Sequence, residues 1–213
     1  MKNLLKVINT IPNSFCQWIS LIYYINGNFN KAYKTLYFIY NNKYSLDRDK
    51  NLMMVNLISI CLMIGEYKLA KKYLDEIEIK HFNYKVLDEY YRLELHYNYI
   101  LGNNNLEMYY DNIKDKDRKD NLMMAIYYIN KGEMKRSKYF FNIHDRVNSL
   151  LLGFDIGFHN ILYEKSLENY LLGTYFFLLG DNKRSYQYLE LVKPRYKNLY
   201  EESIILKNKI KNE

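Results

Sequence analysis

The chain has 213 residues, a net charge of +7 and 49% hydrophobic residues, a balance that suits one globular domain and excludes a disordered chain. Only 2 Pro and 8 Gly exclude a collagen-like chain and a turn-rich β-sandwich, and 2 Cys exclude a disulfide scaffold or a four-Cys zinc site. Of the 31 basic residues, 24 are Lys, and Asn, Ile and Tyr are enriched with it. We expect an A/T-rich, bacterial genome to be the source of that bias, so the charge is weak evidence for nucleic-acid binding.

The N-terminus predicts no targeting segment. Residues 1–6 begin like a signal peptide, but Asn9, Thr10 and Pro12 interrupt the apolar stretch and no small-residue cleavage site follows. Near the C-terminus, the apolar stretch 170–179 is far shorter than the ~20 residues that a membrane-spanning helix needs. We therefore expect a cytoplasmic protein without a membrane span, in which both Cys stay reduced.

Five glycines divide the chain into helix pairs. Each lies in a short polar turn after an apolar, aromatic helix and before a second amphipathic helix; they are Gly27, Gly65, Gly102, Gly132 and Gly180. Glycine at such a place predicts a left-handed C-cap. In chain order, the predicted helices are 14–25 and 29–42, 51–64 and 67–79, 84–101 and 105–114, 119–131 and 134–143, and 160–179 and 182–192. Pro194 is expected to open a last helix that ends near 210.

A second pattern recurs after four of the five turns. Five residues beyond the glycine stands a small residue, which lets the second helix press against the first, and four residues later stands a large apolar one. The small residues are Ala32, Ala70, Ser137 and Ser185, and the large ones are Leu36, Leu74, Phe141 and Leu189. The third pair departs from this rule with Glu107 at the small position, and its buried stripe is expected one residue later, through Met108 and Tyr109.

This order resembles the tetratricopeptide repeat family. The fifth pair matches best, with Leu172-Gly173, Phe176, Gly180, Ser185 and Leu189. The resemblance covers about 14–192 and implies an all-α, right-handed α-solenoid of about five antiparallel helix pairs with a C-terminal capping helix. It implies one domain over 1–213, with repeats near 14–42, 51–79, 84–114, 119–143 and 160–192 and a cap at 194–210. The signature Trp and Pro are missing, and turn glycines lie 38, 37, 30 and 48 residues apart rather than roughly 34. The alternative is an irregular helical bundle with coincident glycine turns.

Two stretches lie outside the pairs. The interval between the fourth and fifth turn glycines is longer than a regular repeat. Its extra residues fall at 144–160 and form either an extra short helix or a protruding loop. Residues 1–11 are a candidate for a short helix that covers the first pair, since a solenoid needs polar caps at its ends.

The sequence offers no catalytic or metal-binding pattern. No two of His81, His96, His144 and His159 lie three or four residues apart, and there is no phosphate-binding loop. Residues 115–120 form a mixed-sign turn in which Asp117 or Asp120 caps the next helix, and its carboxylates are not expected to be buried. We therefore expect no enzyme activity, metal or cofactor.

The family resemblance implies instead that the first helices line a concave groove that binds a partner protein. Counting back from each turn glycine gives the candidate binding residues Gln17, Tyr24, Arg92, His96, Tyr99, Tyr170, Thr174 and Phe177. Gln17, Leu21 and Ser59 depart from the Lys-and-Asn clamp that some members use for a C-terminal carboxylate, so an apolar peptide or an amphipathic helix is the expected partner. Two alternatives remain: that these aromatic residues only fill the packing between repeats, and that the basic repeats bind nucleic acid.

Overall fold

The computed structural model describes residues 13–41, 47–146 and 161–212 of the chain, and all regular structure in these ranges is helical. The chain divides into two compact units, of which the first ends at His81 and the second begins at Phe82. The predicted all-α class is confirmed for the described residues.

The first unit contains four α-helices joined in two hairpins. They are α1 (Asn13–Ile25), α2 (Phe29–Tyr40), α3 (Asp47–Ile64) and α4 (Tyr67–Glu76), and a short 3-10 helix (Ile79–His81) follows. Each packs on the next, so that α2 contacts both α1 and α3. The core of the first unit includes Leu36, Leu57 and Ile58, none of which has exposed surface.

The second unit contains three further hairpins and a last helix. They are formed by α5 (Tyr84–Ile100), α6 (Leu106–Asn112), α7 (Arg118–Asn130), α8 (Met134–Arg146), α9 (Ile161–Leu178), α10 (Asn182–Glu190) and α11 (Lys197–Asn212). The first helices of successive pairs also pack on one another, α5 on α7 and α7 on α9. The last helix, α11, packs on both α9 and α10.

The predicted helices agree with these bounds to within a few residues, with one error at the last helix. Pro194 does not open α11, which begins at Lys197. Pro194 lies instead in a turn closed by the Tyr196 N–H, which donates to the Lys193 carbonyl at 3.1 Å. Predictions for 1–11 and for 147–160 lie outside the described residues, while 144–146 extend α8.

The five turn glycines adopt the left-handed conformation that was predicted. Their φ angles lie between +67° and +79°. At the fourth turn the Gly132 N–H donates to the Ile129 carbonyl and the Glu133 N–H to the Tyr128 carbonyl, both at 2.8 Å. This paired arrangement satisfies the last carbonyls of α7. Because each turn reverses the chain within a few residues, the two helices of every pair lie against each other.

The small residues after the turns allow the close contact that they predict. Ala32, Ala70, Ser137 and Ser185 have no exposed surface. In the fifth pair the Ser185 hydroxyl donates to the Gly173 carbonyl at 2.8 Å, and a Cβ at Gly173 would lie 2.6 Å from Leu189. Side chains of α10 therefore contact the backbone of α9 directly, which the small residues Gly173 and Ser185 permit.

The predicted buried stripe is correct in the first, second and fifth pairs and wrong in the third. Leu36, Leu74 and Leu189 are buried, and Phe141 is half-buried with its ring stacked on Tyr175 at 4.3 Å. In α6 the buried residues are Leu106 and Tyr110, while Met108 is exposed and Tyr109 half-buried. The Glu107 carboxylate explains the difference, because it accepts the Tyr127 and Tyr128 hydroxyls and so fixes the rotation of this short helix.

Candidate functional site

The first helices of the three pairs in the second unit pack side by side and form one surface. We call it the α5–α7–α9 face. Six of the eight predicted binding residues lie on its two outer helices. They are Arg92, His96 and Tyr99 on α5, and Tyr170, Thr174 and Phe177 on α9.

The central helix of this face, α7, is buried along most of its length. Every residue from 120 to 128 is buried, and Leu122 and Ile126 are 0% and 2% exposed. This follows from its position, since α5, α6, α8 and α9 all pack on it. Beyond its charged first turn, the stretch 122–129 has no charged side chain on any side, as expected for a helix enclosed by its neighbours. It holds α5 and α9 at fixed places on either side.

Partly exposed aromatic side chains flank α7. Tyr99 on α5 and Tyr170 and Phe177 on α9 are each half-buried. Burial raises the pKa of Tyr99, and the electrostatic influence of Tyr170 raises it further. The Thr174 hydroxyl donates to the Tyr170 carbonyl at 2.9 Å within α9. These residues form an amphipathic surface of rings and hydroxyl groups.

His96 lies on the same face and is neutral at pH 7. Burial lowers the pKa of its imidazole to about 4, and the nearby Lys119 ammonium adds to this shift. A neutral imidazole both donates and accepts hydrogen bonds, so it can serve polar groups of a partner without adding charge.

Arg92 joins α5 to the start of α7. Its guanidinium contacts Glu89 at 2.7 Å, Asp120 at 3.2 Å and Asp117 at 3.5 Å, and its Nη2 donates to the Asp115 carbonyl at 2.9 Å. The guanidinium is desolvated, but these three carboxylates hold its pKa well above the usual range. Arg92 was predicted to bind a partner; the structure engages it in an ionic cluster between two helices.

Asp117 and Asp120 form the N-terminal cap of α7. The Asp117 carboxylate accepts the backbone N–H groups of Lys119 and Asp120, and the Asp120 carboxylate accepts the N–H of Asp117 at 2.9 Å. The predicted cap is thus confirmed as a reciprocal capping box. The expectation of solvated carboxylates is wrong for Asp120, whose side chain is 1% exposed. Burial and the Asp117 charge raise the pKa of Asp120, while Lys119 and Arg92 overcome burial and lower that of Asp117.

The same cluster continues to α8 and α9. Lys119 pairs with Asp117 at 3.2 Å and with Glu164, and Arg118 pairs with Glu168 at 2.7 Å. The buried His144 lies 3.0 Å from the Arg118 carbonyl through Nδ1 and 3.3 Å from its guanidinium through Nε2. Burial lowers the pKa of His144, which favours its neutral form. The start of α7 is therefore connected to α5 and α9 by ion pairs and to α8 by hydrogen bonds of His144.

The other two predicted residues belong to the first unit. Gln17 lies in α1, and its side chain is outside the described residues. Tyr24 has no exposed surface and packs edge-on against Phe29 at 5.5 Å. Its place is in the core of the first unit, so it offers no surface to a partner.

Asp117 and Asp120 were predicted only as cap candidates, and neither they nor Lys119, Glu164 and Glu168 were predicted to shape the face. The spacing of Asp117 and Asp120 was a usable signal, because an acceptor at the N-cap and a carboxylate three residues later are typical of a capping box. The pairing of Arg92 with that box left no local trace, since the partners lie 25 and 28 residues apart.

Among the described residues, no group of three or more His, Cys, Asp or Glu side chains could hold a metal ion. In the same part of the chain, no helix is long and apolar enough to span a membrane. No protein-family model matches the chain, and comparison with curated proteins and with solved structures found no match either.

Proposed function

We propose that the chain is a tetratricopeptide-like, right-handed α-solenoid without enzymatic activity, and that it binds a peptide or a helix of a partner protein on the α5–α7–α9 face. Three features support the solenoid: five hairpins with the same glycine turn, first helices that pack on each other in the second unit, and a last helix that packs on the fifth pair. A nearest-neighbour order of helix pairs is the defining property of such repeat proteins.

One observation carries the binding proposal. Tyr99, Tyr170 and Phe177 are held half-buried on either side of an enclosed helix. Aromatic side chains in a fixed setting dominate interface energies, because they bury much area and lose little conformational freedom. An extended peptide or an amphipathic helix with apolar anchors fits a surface of this kind.

The non-enzymatic proposal rests on how the charged groups of the face are used. The buried carboxylate of Asp120 and its neighbour Asp117 accept backbone N–H groups and bind Arg92. Groups that are committed to a helix cap and an ion pair are poorly placed to transfer protons to a substrate.

A comparison of three full-length variants tests the binding site. Tyr170→Ala and Phe177→Ala remove rings from the α5–α7–α9 face, and Tyr139→Ala removes a ring that is 62% exposed on α8. We expect a partner captured from the source cells by the wild-type protein to be lost with the first two variants and retained with the third. Affinity for the purified partner should fall by roughly ten-fold or more for a ring that acts as an anchor.

Circular dichroism of all three variants is the control for folding. Capture that is equal for the wild type and the two face variants would contradict the assignment of the face. Turnover of a substrate by the purified chain would contradict the non-enzymatic proposal.

One structural feature favours nucleic-acid binding as a second candidate. In three hairpins a basic side chain lies over an aromatic ring, with the basic residue four positions after the turn glycine and the aromatic residue four positions before that glycine. The pairs are Lys31 with Tyr23, Arg136 with Tyr128 and Arg184 with Phe176. Arg136 and Arg184 also pair with Glu133 and Asp181, which reduces their free charge. This candidate predicts an affinity for RNA or DNA that falls steeply with salt. A gel shift that is absent at low salt would exclude it.

A further inference from the structure

The charged side chains of the α5–α7–α9 face are gathered towards one end of it. Its three helices run in the same direction, because a single returning helix separates each of them from the next. Ion pairs of Arg92 with Asp120 and of Lys119 with Glu164 connect the first halves of these helices. The half-buried rings lie in the second halves of α5 and α9; they are Tyr99, Tyr170 and Phe177. The face therefore has an ionic end and an aromatic end.

Carboxylates outnumber basic side chains on this face. Together with the cap residue Asp117, its three helices carry seven carboxylates and five basic side chains, a formal net charge of −2. The other four helices of the second unit, α6, α8, α10 and α11, carry six carboxylates and ten basic side chains. His96 adds no positive charge, because its imidazole is neutral at pH 7. Among the helices of the second unit, the excess of basic charge therefore lies outside the face.

The carboxylates of the ionic end stay within reach of a partner. Glu89, Asp117, Glu164 and Glu168 each pair with a basic side chain, yet between 16% and 28% of each side chain is exposed. A carboxylate has about four acceptor positions, so pairing with one cation leaves room for further hydrogen bonds. The partly buried setting also strengthens electrostatic attraction relative to open water. An ammonium or guanidinium group brought to this end would be attracted by the excess carboxylates.

We propose that the partner segment bound by the α5–α7–α9 face is basic and apolar: a Lys or Arg side chain enters the ionic end, and an apolar side chain packs on the rings of the aromatic end. This inference rests on the proposed function and adds the chemistry of the partner. Arg92 and Tyr99 mark the two ends on α5 and are separated by about 10 Å along the helix axis. A segment lying along the helices thus has its basic and apolar residues about three positions apart if it is extended and about seven apart if it is helical.

The distribution of charge over the second unit gives this segment one preferred place. Basic helices outside the face repel it, while the excess carboxylates attract it over a distance of about 8 Å at physiological salt. An acidic segment or the phosphate backbone of a nucleic acid meets the opposite arrangement and is repelled from the face. Charge complementarity therefore selects the class of partner, and the rings provide the apolar contact.

Selection from a library of random 12-residue peptides tests this chemistry directly. The library is selected on the immobilised full-length chain and counter-selected on the double variant Tyr170→Ala/Phe177→Ala. We expect the enriched peptides to carry Lys or Arg three or seven positions from an apolar residue, more often than in the unselected library. Enriched peptides without this pattern, or with acidic residues in its place, would overturn this inference and leave the proposed binding face intact. No enrichment over the double variant would contradict the binding face itself, and this inference with it.

Removal of one carboxylate from the face tests the ionic end. Glu168→Gln keeps the size of the side chain and removes its charge, and Glu190→Gln is the matched control on the exposed side of α10, outside the face. The probe is the most enriched peptide with a fluorescent label, titrated with each full-length variant at low salt. Its Kd should rise about five-fold or more with Glu168→Gln and less than about two-fold with Glu190→Gln.

A change in the peptide completes the test. Replacing its basic residue with Gln should raise the Kd for the wild-type chain by a similar factor, but should raise it less for Glu168→Gln, because the two groups interact. Circular dichroism must show that Glu168→Gln keeps its helix content; if it does not, Glu164→Gln takes its place with the same expected result. Equal Kd values for the variants at positions 168 and 190 would overturn the proposal. The same factor for the peptide change in both chains would also overturn it.

Discussion

Arg92 is the residue on which the polar part of the α5–α7–α9 face depends. Its guanidinium forms ion pairs with Asp117, Asp120 and Glu89, and Asp120 is 1% exposed. We expect Arg92→Gln to lower the free energy of unfolding by about 3 kcal/mol, because it leaves a buried carboxylate without its cation. Urea unfolding followed by circular dichroism measures this loss.

The control for Arg92 is Lys197→Gln. Lys197 is 81% exposed and lies 3.8 Å from Glu201, so its ion pair is screened by water. The two variants remove the same charge from the same unit. Equal effects would show that the Arg92 cluster contributes no more than a surface ion pair.

His96 makes stability depend on pH. Burial lowers the pKa of its imidazole from 6.5 to about 4, so folding favours the neutral form. The contribution of the neutral His96 to the free energy of unfolding is fully present above pH 6.5 and is lost as the pH falls towards 4. Between pH 8 and pH 5 the loss amounts to about 2 kcal/mol.

Asp120 has the opposite effect on how stability varies with pH. Its pKa is raised in the folded state, so the folded protein binds a proton at Asp120 more tightly than the unfolded chain, which favours folding as the pH falls. A comparison with His96→Gln isolates the histidine term. The free energy of unfolding of this variant should decline less between pH 8 and pH 5 than that of the wild type. Parallel pH profiles would mean that His96 is accessible to water.

At the scale of the helix pair, glycine has two separate uses. Gly132 lies in a turn at φ +76° with open space around it, while Gly173 lies inside α9 against Leu189. Gly132→Ala should cost about 1 kcal/mol through backbone strain alone. Gly173→Ala should cost roughly 1–3 kcal/mol through overpacking, although alanine favours a helix.

A double variant distinguishes the two causes. Leu189→Val trims the side chain that a Cβ at position 173 would meet. Combined with Gly173→Ala, Leu189→Val should give a double variant whose loss of unfolding free energy is smaller than the sum of the two single losses. Combined with Gly132→Ala, the two losses should simply add. Additivity in both combinations would contradict the close approach of α9 and α10. Thermal or urea unfolding of the set provides the comparison.

Patterns of residues close together in the sequence were enough to predict the helix pairs. The features that were not predicted depend on contacts between residues far apart in the sequence. Gly132 and Ser137 signal a turn and a tight contact by their own chemistry, so the hairpins could be found from spacing. The rotation of α6 depends on Tyr127 and Tyr128, some twenty residues from Glu107. Tyr99, Tyr170 and Phe177 were selected from their places on the first helices, while the ionic cluster of the face joins residues that no short pattern connects. Tyr24 shares the position of a groove residue but is enclosed by packing.

At the scale of the whole molecule, packing is distributed unevenly within the second unit. Four helices contact α7, whereas α11 packs on α9 and α10 and has many exposed residues along its length. Amide exchange follows the free energy of the opening that exposes each N–H group. The amides of α7 can exchange only when the helices around it separate, but those of α11 exchange when one terminal helix detaches.

Hydrogen–deuterium exchange of the intact chain, read by mass spectrometry, should therefore show the slowest exchange in peptides from 121–129 and much faster exchange in peptides from 204–212. Addition of urea should accelerate exchange in 121–129 most, because the opening that exposes α7 uncovers the most surface. Within this one experiment the peptides of α11 are the internal control. Equal rates in the two segments would mean that the second unit opens as one block, and the nearest-neighbour stability expected of a repeat array would then not apply to it.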